Sequence, residues 1–290
     1  MRKYITNSNQ LEEAKKLIIE GVLGYQPFIF SDNLETGVGL EFEKGEYLGL
    51  AYYPDIDKEL IDKYPRLKRL ILDTKYFNYF HKANAVLSRL YDTFIDEICQ
   101  IMGNIGNITF LDVGCNTGYF PISFALKGAK EAAGCDREPN FSKTVNFLNQ
   151  ILGTNVIFLD THYDSRTHTI ANCKPYDVVT CVTVLMHISD TLFFLNTIGS
   201  LATKALFIWT QLNDDAHNSI HYPDEPRGEY KDDKFPLCFD YKIHPSVPLL
   251  YKSLELMGFR KFYEIPEKKE IFYAYSLNGC SFYKGILALK

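Results

Sequence analysis

"FLDVGCNTGYF", residues 110–120, begins with the apolar pattern of a buried strand and ends with the pattern of a helix. Gly114 and Gly118 separate the two patterns. Glycine lets a backbone bend tightly and approach a ligand with no Cβ in the way. A helix beginning near Gly118 would also point its first N–H groups at the turn, which suits a carboxylate or phosphate. The stretch therefore predicts a strand, a ligand-binding turn and a helix.

The same alternation continues along the chain as far as residue 211. Helical patterns follow the first, second and fourth of the apolar runs, whereas the connection after the third, "THYDSRTHTIANCK", is irregular. Strands that are apolar almost throughout and separated by helices form a parallel sheet covered on both faces. The sequence therefore predicts a doubly wound α/β fold. The runs that predict its strands are "ITFLDVG", "EAAGCD", "NVIFLD", "YDVVTCV" and "ALFIWTQ".

Residues 1–107 predict an N-terminal lobe that is mainly helical with a hairpin. "NQLEEAKKLIIEG" has the pattern of an amphipathic helix, and "VGLEFEKGEYLGLAYY" alternates like strands around a glycine turn. Residues 55–103 have mostly helical spacing, with a break near Pro65. We expect this lobe to cover the substrate or the cofactor.

Residues 108–290 are predicted to form the second domain, with a long polar and aromatic connection at 212–245. A connection of that length is often a lid or substrate loop. It leads into a predicted helix, "VPLLYKSLELMG". Three strand-like stretches then follow, which we expect to close the sheet edge: "RKFYEIP", "IFYAYSL" and "KGILALK".

Composition limits the possible functions. The 290 residues include 46% hydrophobic residues, enough for a sizeable core, and the formal net charge of −5 disfavours binding to a nucleic-acid backbone. No run approaches ~18 continuous apolar residues, so no membrane span is expected. The seven cysteines are scattered and contain no C-x-x-C pair, which is typical of reduced thiols in a cytoplasmic protein.

Two acids follow predicted strands. Asp136 ends the second strand, 22 residues after Gly114, where it can accept hydrogen bonds from both hydroxyls of a ribose. Asp160 ends the third strand, where it can receive an exocyclic amine such as that of adenine. Together with the glycine turn, the acids indicate an adenosine-shaped site. NAD and FAD fit poorly, because their G-x-G-x-x-G fingerprint needs glycines at its third and sixth positions, whereas "GCNTGYF" has glycines only at its first and fifth.

The pattern D-V-G-C-x-x-G resembles motif I of the class I S-adenosylmethionine-dependent methyltransferases, and "YDVVTCVTVLMHISD" resembles their fourth motif. The resemblance covers residues 108–211. It implies a Rossmann-like fold, S-adenosyl-L-methionine as cofactor, and methyl transfer as the activity. The cofactor-binding residues that it implies are Asp112, Gly114, Cys115, Asn116, Gly118, Tyr119, Phe120, Asp136, Arg137, Asp160, Thr161 and Val184.

A subgroup of these enzymes has further similar stretches. "VLMHISD" followed by "ALFIWTQL", after "LETGVGLEF" and "KANAVLSRLYD", resembles transferRNA wobble-uridine carboxymethyltransferases and several small-molecule and saccharide methyltransferases. We expect O-methylation of a small metabolite or saccharide for three reasons: the acidic net charge disfavours a polyanionic acceptor, the long polar and aromatic connection can close over a compact ligand, and His187 can act as a base for a hydroxyl. The alternatives are a transferRNA-modifying enzyme, a nucleotide-binding oxidoreductase and a catalytically silent methyltransferase-fold binding protein. Oligomeric state is not predicted.

His187 is the predicted catalytic residue. It follows the fourth strand, where the resemblance places the sulfonium of the methyl donor, and an imidazole can accept a proton near neutral pH. An equally supported alternative is that it caps or supports the next helix. His217 and His221 have the i, i+4 spacing of metal ligands, but the surrounding stretch lacks a helical pattern. A solvated loop is therefore favoured there over a metal site.

Several of these residues have structural alternatives. Asp136 and Asp160 also suit helix N-caps. Asp112, on a buried strand, is expected either to brace the backbone amides of the turn or to meet the ammonium of the cofactor. Phe120 suits the core better than a ligand contact. Eight aromatic residues suit either the walls of an acceptor site or packing between the lobes: Tyr76, Phe77, Tyr79, Tyr222, Tyr230, Phe235, Phe239 and Tyr241.

Overall fold

The structure, a computed structural model, describes residues 8–19, 26–31, 34–36, 51–52, 70–71, 74–221, 243–265 and 282–290. The described helices are α1 Ser8–Ile19, α2 Thr74–Met102, α3 Tyr119–Leu126, α4 Phe141–Leu152, α5 Thr191–Leu201 and α6 Val247–Leu256. The described strands are β1 Ile29–Ser31, β2 Leu34–Thr36, β3 Ala51–Tyr52, β4 Leu70–Ile71, β5 Thr109–Val113, β6 Glu131–Cys135, β7 Ile157–Leu159, β8 Tyr163–Asp164, β9 Thr169–Ile170, β10 Tyr176–Val182, β11 Ala202–Leu212, β12 Ile220–His221, β13 His244–Pro245, β14 Lys261–Ile265 and β15 Phe282–Leu289.

Seven strands form the central sheet, in the order β14-β15-β11-β10-β5-β6-β7. The five predicted strands pair in parallel, and β15 runs antiparallel between β11 and β14. The doubly wound α/β fold is therefore confirmed, including two of the three stretches expected at the closing edge. The third, "IFYAYSL", lies outside the described residues.

Helices cover both faces of this sheet. On one face, α1 to α4 contribute to one hydrophobic cluster, in which Phe110 of β5 stacks on Phe124 of α3 with ring centroids 4.0 Å apart. On the other face, Phe194 of α5 and Leu250 of α6 belong to a second cluster. The near-continuous apolar character of the strands follows from burial on both sides.

The N-terminal lobe contributes α1, α2 and a small sheet in the order β1-β2-β3-β4. The predicted helix at the start of the chain is present as α1, and α2 confirms the second part of the helical segment predicted at 55–103. At Leu70–Ile71, however, the helical prediction is wrong: this pair is a strand parallel to β3. Pairing with a distant segment overrides the local periodicity there.

The connection predicted at 212–245 is held at its two ends. β12 pairs antiparallel with β13, and Asn213 N–H donates to Pro245 O at 3.1 Å. Both ends therefore lie beside the carboxyl end of β11, whereas residues 222–242 lie outside the described residues. None of the described helices is long and apolar enough to cross a lipid bilayer.

Candidate cofactor and acceptor site

The carboxyl ends of β5 and β10 form the centre of the candidate site. These two strands are neighbours, but the chain continues from β5 to β6 on one side and from β10 to β11 on the other. In open α/β sheets, ligands bind at the point where the strand order reverses in this way. Gly114 follows β5, and Thr183 and Val184 follow β10. The predicted glycine turn therefore lies at the switch point of the sheet.

Gly114 must be glycine for two reasons. Its φ is +76°, in the left-handed region, and a Cβ built on it would lie 2.2 Å from Val184 Cγ2. The sequence predicts a close approach to a ligand at this glycine; the close neighbour that the structure shows belongs to the protein. This neighbour is Val184, which the resemblance also implied as a cofactor contact.

The backbone N–H groups of the turn are already paired within the protein. This differs from the expectation that free N–H groups at the start of α3 hold an anionic ligand, at least for the six residues 114–119. The acceptors are Cys135 O for Gly114 and Cys115, Asp136 Oδ2 for Asn116, Asn116 Oδ1 for Thr117, Cys115 O for Gly118, and Gln26 Oε1 for Tyr119.

Gln26 is a residue that sequence reasoning missed. Its side chain comes from the N-terminal lobe and is buried at 5% exposure. Nε2 donates to Cys115 O at 3.1 Å, while Oε1 accepts from Tyr119 N at 2.9 Å and from Thr117 Oγ1 at 3.0 Å. A lone glutamine in "GYQPF" gives no signal of this role, because its partners lie about ninety residues away.

Asp136 holds the turn from the other side. Its Oδ2 accepts from Asn116 N at 2.8 Å and its Oδ1 accepts from Glu138 N at 3.1 Å. The N-cap alternative does not apply, because α4 begins at Phe141 and Asn140, not Asp136, occupies its N-cap position. A carboxylate oxygen can accept more than one hydrogen bond, so both oxygens can still receive ribose hydroxyls. Arg137, the next residue, is exposed.

Asp112 is the most strongly perturbed acid of the site. It is 2% exposed and accepts a hydrogen bond from Thr180 Oγ1 at 2.7 Å. Burial raises its pKa to about 8; the Thr180 bond opposes this shift and the charge of Asp136 adds to it. Because the N–H groups of residues 114–119 have other acceptors, Asp112 does not brace them; its contact with the ammonium of the cofactor stays a prediction.

Asp160 and Thr161 lie at the end of β7, on the same edge of the sheet. Asp160 is exposed and Thr161 is partly exposed. The next elements are the β8–β9 pair and then β10, so no helix follows that Asp160 could cap. The strand-end position of both residues agrees with the sequence prediction.

Other predicted contacts have their side chains turned into the protein. Cys115 is buried, and its Sγ would lie 2.6 Å from a Cβ at Gly134 of β6. Tyr119 is fully buried, and its hydroxyl donates to Asp92 Oδ1 at 2.9 Å. Phe120 is also fully buried, in agreement with the core alternative. These residues shape the turn in this structure.

Gly118 completes the turn as the N-cap residue of α3. Its φ is +90°, and a Cβ there would lie 2.9 Å from Val145 Cγ2 of α4. Both the conformation and the close packing require glycine. The two glycines of the opening stretch are therefore explained by different neighbours, Val184 after β10 and Val145 on α4.

His187 ends a short 3-10 turn, Leu185–His187, which begins three residues after the last residue of β10. It is exposed at the carboxyl edge of the sheet. The adjacent Met186 O accepts from Ile243 N at 2.7 Å, which fixes the base of the long connection against this turn. His244, the residue after Ile243, has its Nε2 3.2 Å from Gln211 Oε1 near the end of β11.

The other predicted features of the connection are only partly described. The side chain of His217 is 90% exposed and pairs with Asp215. Among the residues that the structure describes, no group of three or more His, Cys, Asp or Glu side chains is arranged to hold a metal ion. The aromatic residues predicted at 222–241 lie outside the described residues, as do the side chains of Tyr76, Phe77 and Tyr79.

Comparison with known proteins identifies the family of this site. The family model for a methyltransferase domain matches residues 79–244, which include the glycine turn, the two strand-end acids and His187. The chain belongs to the methyltransferase family. Residues 245–290, with α6 and the closing strands β14 and β15, lie beyond the matched region.

Curated relatives match over part of their length. A ubiquinone biosynthesis O-methyltransferase of Serratia proteamaculans is 36% identical over 106 residues, 36% of this chain and 42% of the relative. The enzyme of the same name from Rickettsia felis is 25% identical over 160 residues, 54% of this chain and 62% of the relative. The chain thus spans about half the length of these relatives.

Solved structures share the fold at low sequence identity. The N-terminal domain of EvdMO1 with S-adenosylhomocysteine bound has a TM-score of 0.54 and 14% identity, covering 100% of this chain and 99% of that chain. Magnesium protoporphyrin IX methyltransferase from Synechocystis PCC 6803 with S-adenosylhomocysteine has a TM-score of 0.50 and 15% identity, covering 73% and 87%. The predicted Rossmann-like methyltransferase fold is confirmed.

Proposed function

We propose that this methyltransferase transfers the methyl group of S-adenosyl-L-methionine to a hydroxyl of a small metabolite or saccharide. The observation that carries the proposal is the bond of Asp136 to Asn116 N of the glycine turn at 2.8 Å, at the switch point of a methyltransferase sheet. Asp160 follows β7, two strands from β5 on the same edge of the sheet. When bound, the cofactor supplies a methyl group already activated by a sulfonium, so the protein must mainly position the acceptor.

The donor groups of the site fit an adenosine carrying a cationic amino-acid chain. Asp136 accepts the ribose hydroxyls, and Asp160 with Thr161 borders the adenine. Asp112 meets the ammonium, since a positive group offsets the cost of ionising a buried carboxyl. Gly114 and Val184 form the apolar floor between the ends of β5 and β10.

His187 acts as the general base in this proposal. It is exposed at the end of β10, where an imidazole can take the proton that the acceptor hydroxyl loses. The net charge of −5 disfavours a polyanionic acceptor. The curated relatives that match part of the chain are named O-methyltransferases, which agrees with transfer to oxygen.

Calorimetry with S-adenosylhomocysteine and with NADH tests the cofactor, and a labelled methyl group tests the acceptor. The acceptor panel contains simple phenols, free hexoses and deoxyhexoses, and bulk transferRNA. Binding of S-adenosylhomocysteine and labelling of a small hydroxyl compound support the proposal. Binding of NADH instead indicates an oxidoreductase, labelling confined to transferRNA contradicts the small acceptor, and binding without any labelling favours the silent alternative.

We also propose a cytoplasmic location. The described cysteines, namely Cys99, Cys115, Cys135, Cys173 and Cys181, are free thiols. Free thiols in this number agree with a reducing compartment. Fractionation of the cells that produce the protein tests the location.

A further inference from the structure

We propose that Gln26 is the positioning residue of the cofactor turn, so that cofactor affinity depends on a side chain contributed by the N-terminal lobe. The inference rests on the proposed function for the identity of the ligand. The positioning itself rests on contacts within the protein. Gln26 bonds to Cys115, Thr117 and Tyr119, which span the whole turn between β5 and α3.

Both the backbone and the side chain of Gln26 are held by hydrogen bonds. Its backbone carbonyl accepts from Thr36 Oγ1 of β2 at 2.7 Å and from Phe28 N at 3.1 Å. The residue is 5% exposed, and its side-chain amide uses both its donor Nε2 and its acceptor Oε1. The residue therefore forms a rigid connection between the small N-terminal sheet and the turn.

Hydrogen bonds also link Gln26 to Asp136, the residue proposed to bind the ribose. Thr117 Oγ1 lies 3.0 Å from Gln26 Oε1 and 3.2 Å from Asn116 Oδ1, and Asn116 N donates to Asp136 at 2.8 Å. Without Gln26, Thr117 Oγ1 and Tyr119 N both lose the acceptor that Gln26 Oε1 supplies, and Cys115 O loses the donor Nε2. Losing buried hydrogen bonds is costly, so the turn is expected to rearrange around Asn116.

The position requires one donor and one acceptor in a single side chain. Glutamine supplies both, as does a protonated glutamic acid, whose O–H donates to Cys115 O while its C=O accepts from Tyr119 N. An ionised carboxylate lacks the donor and faces the carbonyl of Cys115. Gln26→Glu is therefore predicted to work only while its new carboxyl is protonated.

The surroundings favour the protonated form. Among the described residues, the titratable groups that contact or adjoin the turn are Asp92 on α2 through Tyr119, Asp112 on β5, Cys135 and Asp136 at the end of β6, and the buried Cys115 thiol. The cation next to this group is Arg137, which is exposed to solvent, whereas Gln26 is buried, and burial opposes ionisation of a second carboxylate. The pH dependence of Gln26→Glu is thus a specific readout of the bond to Cys115.

The test compares binding of S-adenosylhomocysteine to the full chain by calorimetry. Gln26→Ala is expected to weaken binding about tenfold or more. Gln150→Ala, an exposed glutamine on α4, is the matched control and should bind like wild type. Gln26→Glu should bind like Gln26→Ala at alkaline pH and recover toward wild type as the pH falls, with both reference proteins measured at each pH.

Equal affinity of wild type and Gln26→Ala would overturn the inference, as would a pH profile of Gln26→Glu parallel to that of Gln26→Ala. If Gln26→Ala fails to fold, the affinity of Gln26→Glu relative to wild type, measured at each pH, still tests the inference: a ratio that does not change with pH would overturn it. If wild type binds no S-adenosylhomocysteine, the proposed function fails. The positioning role is then tested by hydrogen exchange at Tyr119 N–H, which should be protected in wild type and Gln150→Ala and lose protection in Gln26→Ala, where its acceptor is removed. Equal protection would refute it.

Discussion

Asp136 accepts the backbone N–H of Asn116 at 2.8 Å, which joins the end of β6 to the glycine turn after β5. The bond follows from the register of the sheet, because Val113 and Cys135 are partners and the residues after them face each other. The acid proposed to bind the ribose is therefore also an acceptor that holds the turn. Cofactor binding and turn geometry depend on the same carboxylate.

Asp136→Ala should weaken binding of S-adenosylhomocysteine by ~1 to 3 kcal/mol, the usual cost of losing a charged acceptor. It should also lower the free energy of unfolding, because the N–H groups of Asn116 and Glu138 lose their acceptor. Calorimetry and urea unfolding measure the two effects. Asp214→Ala, at an exposed position, should change neither. An unchanged affinity in Asp136→Ala would remove the ribose assignment.

Gly114→Ala should lower both the stability and the cofactor affinity. The new Cβ would lie 2.2 Å from Val184 Cγ2, on a backbone whose φ of +76° alanine rarely adopts. Adding Val184→Ala removes that overlap and leaves a distance of 3.3 Å to Val184 Cβ, so part of the stability should return. A double-mutant cycle by urea unfolding measures the coupling. Strictly additive effects would show that Val184 is not the obstacle.

Asp112 should make the folded chain less stable as the pH rises. Its pKa is about 8 in the folded chain, against an ordinary value of 3.8, so the folded chain keeps a proton that the unfolded chain releases. Its contribution to stability is full below about pH 4 and is lost as the pH rises through about 8. The free energy of unfolding of Asp112→Asn should therefore rise relative to that of wild type as the pH increases across that range. Urea unfolding at several pH values measures the difference. A constant difference would contradict the assignment.

Cofactor binding should release a proton from Asp112 at neutral pH. An ammonium beside this buried carboxyl stabilises its charged form and lowers its pKa. Calorimetry of S-adenosylhomocysteine in buffers with different ionisation enthalpies detects the proton. Wild type should show a release that Asp112→Asn lacks. If both proteins release the same number of protons, the ammonium lies elsewhere.

The sequence predicts the fold well where local pattern and burial coincide. The apolar runs that became β5, β6, β10 and β11 are strands because both faces of the sheet are covered there. β7 lies at the edge of the sheet and is less covered, since Ile157 is 42% exposed. At Leu70–Ile71 the local spacing is helical, but pairing with β3 decides the structure. A two-residue strand carries too little pattern to be recognised from sequence.

In the candidate site, too, residues with a local sequence signal could be predicted and residues that depend on distant contacts could not. Gly114 and Asp136 could be predicted because a strand-end glycine and a strand-end acid are visible in the sequence. Gln26 could not, since its role depends on contacts with residues far along the chain. Free N–H groups were expected at the turn because a helix start leaves them unpaired, but the structure supplies acceptors from the end of β6, from Asp136 after it, from the turn itself and from the N-terminal lobe.

His187→Ala tests the chemistry. If His187 takes the proton of the acceptor hydroxyl, its removal should lower the turnover rate by ~10²- to 10⁴-fold while leaving the affinity for S-adenosylhomocysteine unchanged. The measurement needs an acceptor from the labelling panel, followed by steady-state kinetics and calorimetry. His217→Ala is the matched control, because that side chain is 90% exposed and pairs with Asp215. If His187 only supports the turn before α5, its variant should lose stability, measured by urea unfolding, and keep its rate. Full turnover in His187→Ala would eliminate it as the base.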